Sequence, residues 1–479
     1  MRKVSINENP PTRVGTQAHK IVTITRVLRE LHRLRTRSSW SRGGIERHQQ
    51  KELASLRAFA YANSPFYQQF HRGLFNAPLS ELPVLTKRLV MDNFDRLVTD
   101  PKINLEEARN YLSLTAQAQN KTPRYLGRYE IAATSGSSGS PGIFLFNEQE
   151  WVTVMASFGR AREWAGQRLD LTRRSKMAVV SSTNDKNISA RVGKAADSWF
   201  LPTLRLDATR PLDQLVGDLN RWQPEVLVAY ASMAYFLAHE QLAGNLTIHP
   251  GKVFTSSEVT TRTMREITEK AWGKVIFDEY AATETATIGA ECRQHHGLHL
   301  FEDLLIIENV DEHNRPVPVG VFGAKLLVTA LFNRSQPLIR YEISDRVKLS
   351  EIPSASSSCG LGYPLIEAIE GRREDILVMA GKDQSQVQLY PNVFTDLLDT
   401  LPNQGWQINQ QEDGSLQVLL VEGNPAVEED AVRARLGKTL VERGVAAPKI
   451  EGEKVGAILK AASGKSPLIR AYYSEGDHY

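Results

Sequence analysis

The chain is poor in cysteine: Cys292 and Cys359 are the two in 479 residues. A disulfide framework is therefore excluded, and apolar cores have to hold the fold. Long hydrophobic runs are missing too, with none near the roughly 20 residues of a membrane-spanning helix. The polar start, Met1 to Gly15, has no secretory apolar core, so a cytoplasmic location is the expectation. Charge of one sign is also absent. Lys and Arg number 58 against 55 Asp and Glu, a formal net charge of +3, too small to imply a nucleic-acid partner. What remains, 41% hydrophobic and 24% charged residues, is the composition of a globular protein. The length exceeds what one core serves, and about two or three domains are expected.

Residues 1–50 read as a basic helical extension. Arg26, Arg29, Arg33, Arg35 and Arg37 lie close together, while Ile21, Ile24, Val27, Leu28, Leu31 and Leu34 recur at helical spacing. Such a helix packs its apolar stripe on its own domain or lies on an anionic surface. A second helical stretch from Gly44 to Phe75 is broken at Ser64-Pro65, and Leu82 to Lys87 reads as an extended piece ending in a helix start.

The stretch Thr134-Ser135-Gly136-Ser137-Ser138-Gly139-Ser140-Pro141-Gly142 sits between two segments that read as strands, Tyr129–Ala133 and Ile143–Phe146. Small hydroxyl residues among glycines can aim several N–H groups at one anion, or form a flexible turn. The P-loop of nucleotide triphosphatases is excluded, since that motif ends in Lys-Ser/Thr and runs straight into a helix. Here a helix starts only after Asn147, with Glu150 at the capping-box position.

From Lys176 to Glu284 strands and helices alternate. Residues 177–180, 226–228, 253–255 and 275–277 read as buried strands, and 212–222, 231–243 and 260–271 as the helices between them. This is the pattern of a parallel sheet, whose ligands gather at the carboxyl ends of the strands. The residues just past those ends are Tyr230-Ala231-Ser232, Ser256-Ser257-Glu258 and Asp278-Glu279-Tyr280-Ala281-Ala282-Thr283-Glu284. After Phe301 the short strands 304–310, 324–331, 338–342 and 346–349 suggest a small antiparallel sheet or barrel. A compact unit of helices and strands follows, with a hairpin turned at Asp413-Gly414. The expected fold class is α/β plus α+β. A large amino-terminal domain over 51–374 has parallel α/β subdomains and a small β-barrel-like subdomain, and a small α+β domain fills 375–479.

Taken in order, these stations resemble the acyl-adenylate-forming superfamily, most closely its phenylacetate–CoA ligase-like branch. The signature residues are Trp40-Ser41, Ala60 to Tyr67, and Leu82-Pro83-Val84-Leu85-Thr86-Lys87. The Thr134–Gly142 stretch is similar to the family's phosphate-gripping loop, with Gly142 where relatives commonly carry lysine. The resemblance implies that Thr134, Ser135, Gly136, Ser137, Ser138 and Gly139 grip phosphate. It also implies that Ser256, Ser257 and Glu258, with Asp278, line the adenine pocket. Tyr280-Ala281-Ala282-Thr283-Glu284 resembles the Tyr-Gly-x-Thr-Glu motif, with Ala281 for glycine. By that match Tyr280 stacks on adenine, Thr283 touches phosphate and Glu284 holds Mg²⁺. Arg340 to Asp345 resembles Arg-Tyr-x-x-Gly-Asp, with Ser344 for glycine, and implies that Asp345 grips the ribose hydroxyls. Arg372 would reach the ribose or phosphate, Asp375 would mark a hinge, and Lys465 in Ala-Ser-Gly-Lys would be the catalytic lysine of a mobile small domain. Tyr230, Ser232, Met233 and Ala282 would border the acid pocket.

The activity implied is ATP-dependent formation of an acyl-adenylate from a small carboxylic acid, with release of pyrophosphate. ATP and Mg²⁺ are the implied cofactors, and coenzyme A the implied acceptor. An amine or carrier protein is the alternative acceptor, and a nucleotide-binding relative without catalysis is the reading that Gly142, Ala281 and Ser344 leave open. Fixed donors, a hard cation on an oxygen ligand and a lysine point charge suit a transition state with charge on phosphate oxygens. Cys292, His299 and Cys359, with His295 or His296, either make a tetrahedral zinc site or are two buried thiols beside a solvated histidine loop. A homodimer is the expected assembly.

Overall fold

The computed structural model describes residues 13–117, 124–134, 141–168, 172–350, 359–372, 375–382, 385–389, 391–398, 405–421, 428–458, 460 and 465–472. Among them, one nine-stranded sheet dominates. From edge to edge its strands are Asp345–Ser350, Leu365–Arg372, Leu298–Leu300, Ala286–Glu291, Ile276–Ala282, Lys252–Ser256, Val226–Tyr230, Met177–Ser181 and Thr203–Asp207. The last five pair in parallel, and every pairing on the other side of Ile276–Ala282 is antiparallel. The parallel half is covered by crossover helices, so a strand such as Met177–Ser181 is buried throughout and reads as a continuous apolar run. The helices Leu212–Trp222, Ala231–Leu242 and Arg262–Trp272 make those crossovers. The helix Ile188–Ala196 and the edge strand Thr203–Asp207 had no clear sequence signal, and the latter is mostly only half-buried.

The strand group after Phe301 divides differently from the expectation. Leu305–Val310, Lys325–Ala330 and Tyr341–Ile343 form a three-stranded antiparallel sheet. Asp345–Ser350 leaves it and becomes the edge of the large sheet. Ser344 alone separates the two strands, so the chain changes sheets within one residue. Alternation of apolar side chains sets a strand's two faces but not which sheet it joins.

The basic helix, Arg13–Arg37, packs against Glu148–Trp164. Leu31 and Leu34 are buried in the main core, and Leu31 packs over Gly159, where a β-carbon would sit 3.4 Å from both its methyls. Arg26 pairs with Glu148 at 2.8 Å and Arg35 with Glu163. Glu148–Trp164 begins with the expected capping box, Asn147 and Glu150 satisfying each other's backbone N–H groups.

The carboxyl-terminal unit has its own core, including Phe394, Trp406, Ile408, Leu420 and Leu436. Among the described residues its main sheet runs in the order Ile450–Val455, Leu416–Val421, Gly405–Gln410 and Ile469–Arg470, beside a hairpin of Leu377–Ala380 and Gln386–Leu389. The helices Pro391–Leu398 and Glu429–Glu442 complete it. Leu468, just before the last strand, packs against Ala231, Tyr235 and Met264 of the large domain. Among the described residues no helix is long and apolar enough to cross a membrane.

Candidate active site

The parallel strands deliver their carboxyl ends to one edge. Val226–Tyr230 ends on Tyr230, whose Oη accepts the N–H of Ser182 at 2.9 Å. Burial pushes its phenol up to about 12, so it stays a neutral hydroxyl at physiological pH. The helix that follows, Ala231–Leu242, has no side-chain cap of its own, which leaves its first N–H groups to outside partners. Glu258 supplies one. Lys252–Ser256 ends at Ser256, Ser257 adopts φ +69°, and Glu258 then accepts the N–H of Ser232 on Oε2 at 2.9 Å. Its Oε1 accepts the N–H of Ser466 at 2.9 Å, from the carboxyl-terminal unit. Beside that bond, Lys465 holds Nζ 5.7 Å from the centre of the Tyr230 ring.

The strand Ile276–Ala282 carries the next group. Asp278 lies against Thr255, whose Oγ1 donates to Oδ1 at 3.2 Å. Desolvation, with Glu291 nearby, pushes its carboxyl up to about 7. The pairing with Ala286–Glu291 shifts register between Tyr280 and Ala281, and Tyr280 donates its O–H to Asp345 Oδ2 at 2.5 Å. Asp345 is buried and pairs with Arg372 in the antiparallel register. The switch of sheets at Ser344 is what sets Asp345 there. Arg372 is described by its backbone position, and Asp375 follows at the entrance to the carboxyl-terminal unit. Ala282 is half-buried against the main core, and Thr283 and Glu284 lie in the turn after it. Glu284 Oε1 accepts the O–H of Tyr341 at 3.2 Å, and Tyr341 packs edge-on against Phe144 at 5.9 Å. Glu284 thus stands beside the strand that leaves the Gly/Ser loop.

That loop is closed at its neck. Thr134 donates its N–H to Gly142 O and accepts the Gly142 N–H on Oγ1, both at 2.9 Å. Ser135, Gly136, Ser137, Ser138 and Gly139 lie outside the described residues. A β-carbon on Gly142 would come within 2.8 Å of Phe144 Cε2, so packing accounts for the missing lysine. Lys87 Cδ lies 3.4 Å from that same point, carried there by the helix Lys87–Asp92 capped by Thr86. In the sequence the Thr-Lys pair reads as a helix start and as part of the amino-terminal signature, not as a neighbour of the loop. Its adjacency to position 142 has no local signal.

The acid-pocket candidates separate. Tyr230 and Ser232 stand with Lys465 and Glu258, and Ser232 also lines a cavity of about 30 Å³ with Tyr235, Trp406 and Leu468. Met233 is fully buried in the core under the helix.

Around the strand Leu298–Leu300, ligand atoms of Cys292, His299 and Cys359 lie within 4.8 Å of one another. His299 Nδ1 donates to Tyr363 O at 3.3 Å, leaving Nε2 directed at Cys359 Sγ, 3.6 Å away. Burial lowers its imidazole to about 4, so the ring is neutral. Neither His295 nor His296 joins the cluster. His295 stacks on Phe277 at 4.6 Å and faces Glu291.

No family model matches the chain. The chain has the fold of the acyl-adenylate-forming CoA ligases, as the sequence resemblance led one to expect. Among solved structures, 2-hydroxyisobutyryl-CoA ligase in its postadenylation state superposes with a TM-score of 0.70 at 17% identity, covering 92% of this chain and 91% of that one. In sequence the chain is 24% identical over 405 residues to phenylacetate-coenzyme A ligase of Aromatoleum evansii, covering 79% of this chain and 82% of that protein. It is 25% identical over 336 residues to Protein CapK of Staphylococcus aureus. That match covers 66% of this chain and spans 65% of the length of CapK.

Proposed function

We propose that the protein activates a carboxylic acid with ATP as its acyl-adenylate and passes the acyl group to coenzyme A. The observation that carries this reading is Lys465. The carboxyl-terminal unit brings it to the sheet edge where Tyr230, Glu258 and the Tyr280–Asp345 pair stand. In the first step a carboxylate oxygen attacks the α-phosphorus of ATP, and pyrophosphate leaves. In the second, the thiolate of coenzyme A attacks the acyl carbon, and AMP leaves. Lys465 sets its charge between carboxylate and α-phosphate, where negative charge grows most in the transition state.

Tyr280 offers its ring to adenine while its O–H fixes Asp345, the carboxylate that meets the ribose hydroxyls. Arg372, opposite Asp345 in the register, serves ribose or phosphate. Ser256, Ser257, Asp278 and Ala281 border the adenine side. Thr134 and the serines and glycines after it grip the β- and γ-phosphates, Thr283 touches phosphate, and Lys87 supplies the cation that Gly142 cannot. Tyr230, Ser232 and Ala282 line the acid side, with Met233 as a buttress behind them, and Asp375 is the hinge between the domains. Mg²⁺ fits Glu284, an oxygen donor oriented by the Tyr341 hydroxyl, and would neutralise charge on the phosphates. Zinc fits the Cys292, His299 and Cys359 donors, whose imidazole is neutral and tied to a carbonyl through Nδ1; it would hold those strands together. A cytoplasmic location goes with the use of ATP and coenzyme A.

The test is acid-dependent exchange of pyrophosphate into ATP across aryl, fatty and amino acids, followed by thioester formation with coenzyme A. Exchange with at least one acid, abolished by Lys465→Ala, is the expected result. No exchange by the unmodified protein across the whole panel sinks the reading, and product with an amine in place of coenzyme A redirects the second step.

A further inference from the structure

Glu258 divides its two carboxylate oxygens between the two domains. Oε2 accepts the N–H of Ser232, on the first turn of Ala231–Leu242, and Oε1 accepts the N–H of Ser466, both at 2.9 Å. Ser466 is buried and is the immediate neighbour of Lys465. The contacts around this point are mostly apolar. Leu468 packs on Ala231, Tyr235 and Met264, and a β-carbon on Gly405 would lie 3.5 Å from Phe236. Farther out, Lys460 Nζ donates to Ala208 O at 2.7 Å. Apolar contact is non-directional and tolerates sliding of one surface on another. A charged carboxylate bonded to N–H groups is directional and stronger than a neutral bond. Ser466 can reach Oε1 in one placement of its segment, and that placement sets Lys465 over Tyr230.

We propose that Glu258 is a positioning residue, a carboxylate latch that fixes the Lys465 segment on the large domain for acyl-adenylate formation and releases it afterwards. The kinetic part of this proposal rests on the acid-ligase reading above; the structural part does not. Release is feasible because the latch bonds backbone N–H groups rather than a buried cation. When the small domain departs, water replaces Ser466 at Oε1, while Ser232 and the positive end of its helix continue to hold Oε2. In the docked state each oxygen thus accepts one N–H at the junction.

The test compares Glu258→Ala and Glu258→Gln with Lys465→Ala in the full chain. Amide hydrogen exchange is read in the peptides that hold Ser232 and Ser466. Loss of a charge-assisted bond speeds exchange by about tenfold or more. Both Glu258 variants should show this at Ser466, while Lys465→Ala, which keeps the carboxylate, stays at the unmodified rate. In pyrophosphate exchange, Glu258→Gln should lower kcat about tenfold with the KM for ATP little changed, and should retain thioester formation from added acyl-adenylate and coenzyme A. Gln keeps the shape of the side chain, so it covers the case in which Ala does not fold. Unchanged exchange at Ser466 overturns the proposal. So does a rise in KM for ATP at constant kcat, the mark of an adenine-lining residue, or an equal loss in both half-reactions, the mark of general damage. If the unmodified protein catalyses no acid-dependent exchange, the ligase reading fails, and hydrogen exchange alone still decides the latch.

Discussion

Two carboxylates, the buried Asp303 and the half-buried Glu258, are held in opposite ways. Asp303 pairs with Arg160 at 2.7 Å, both side chains fully buried, and with Arg37 at 3.5 Å. The Arg160 guanidinium lies over Phe301 at 3.9 Å and Trp164 at 5.1 Å, and its Nε and Nη2 have no hydrogen-bond partner among the described residues. This cluster ties the basic amino-terminal helix, the helix Glu148–Trp164 and the loop after Leu298–Leu300 into one body. Its partners come from the amino-terminal helix and the large domain, not from the carboxyl-terminal unit. Glu258, by contrast, bonds backbone N–H groups from two domains. Charge on charge in a closed core is costly to open, because opening leaves an unpaired ion behind. A carboxylate on N–H groups at a junction can exchange one partner for water. The first arrangement fixes a scaffold, and the second permits a part to come and go.

The largest test of this contrast is Asp303→Ala. It strands Arg160 in the core, and a loss of about 3–5 kcal/mol is expected in urea unfolding. Glu258→Ala should cost far less in the same experiment, and equal losses would break the comparison. Next comes Lys465→Ala, which should lower adenylation by about 10²–10³-fold, the range for removing one transition-state donor. Its unfolding midpoint should stay that of the unmodified chain, as the residue belongs to the exchanging side of the contrast. A large drop in stability would place Lys465 with the scaffold instead.

Glu279, a buried carboxyl on Ile276–Ala282, differs from both. Burial pushes it from the ordinary 4.5 up to about 7, with Thr287 and Arg162 opposing and Asp278 adding to the rise. Thr287 Oγ1 donates to its Oε1 at 2.9 Å. A raised acid holds a proton in the folded state that the unfolded state has already lost between pH 4.5 and about 7. Its contribution to stability is full below 4.5 and is lost as pH rises through about 7. Each pH unit across that window is worth roughly 1.4 kcal/mol, so the loss is of order 3 kcal/mol. Asp278, also raised to about 7, acts with the same sign. Glu279→Gln should therefore flatten the fall in urea midpoint between pH 5 and pH 8 without abolishing it. An unchanged slope would remove Glu279 from this account.

What the sequence made legible follows from the range of each signal. The parallel strands and their helices were readable because buried apolar runs and 3.6-residue periodicity are local. The capping box of Asn147 and Glu150 was readable for the same reason. The motif residues Tyr280, Glu284, Asp345 and Lys465 were expected as stations along the chain, and the structure does bring Cys292, His299 and Cys359 together. The long-range pairings were not expected. Tyr280 reaching Asp345, Tyr341 reaching Glu284, and Glu258 reaching Ser466 span 65, 57 and 208 residues. Such contacts depend on where a strand changes sheets or a domain docks. The exit of Asp345–Ser350 from its expected sheet belongs here as well, since alternation does not name a partner strand.

Lys87 is the sharpest of these long-range cases, and its removal the smallest of the expected effects. Where the resemblance leads one to expect a lysine the chain has Gly142, and a β-carbon there would press on Phe144 at 2.8 Å. Phe144 in turn supports Tyr341, which orients Glu284. A lysine at 142 would therefore disturb the Tyr341–Glu284 contact behind it. Lys87 avoids the conflict by approaching the same point from another helix, its Cδ 3.4 Å from the Gly142 β-position. An ammonium near phosphates in partly screened surroundings contributes roughly 1–2 kcal/mol, so Lys87→Ala should raise the KM for ATP about tenfold and leave the fold intact. Lys87→Arg should recover most of the loss, since charge rather than shape is required. Adding Gly142→Lys to Lys87→Ala should not recover it, because Phe144 occupies the space its first carbons need. Recovery by that double variant would show that position 142 is open after all, and that Lys87 is only a surface cation beside the loop.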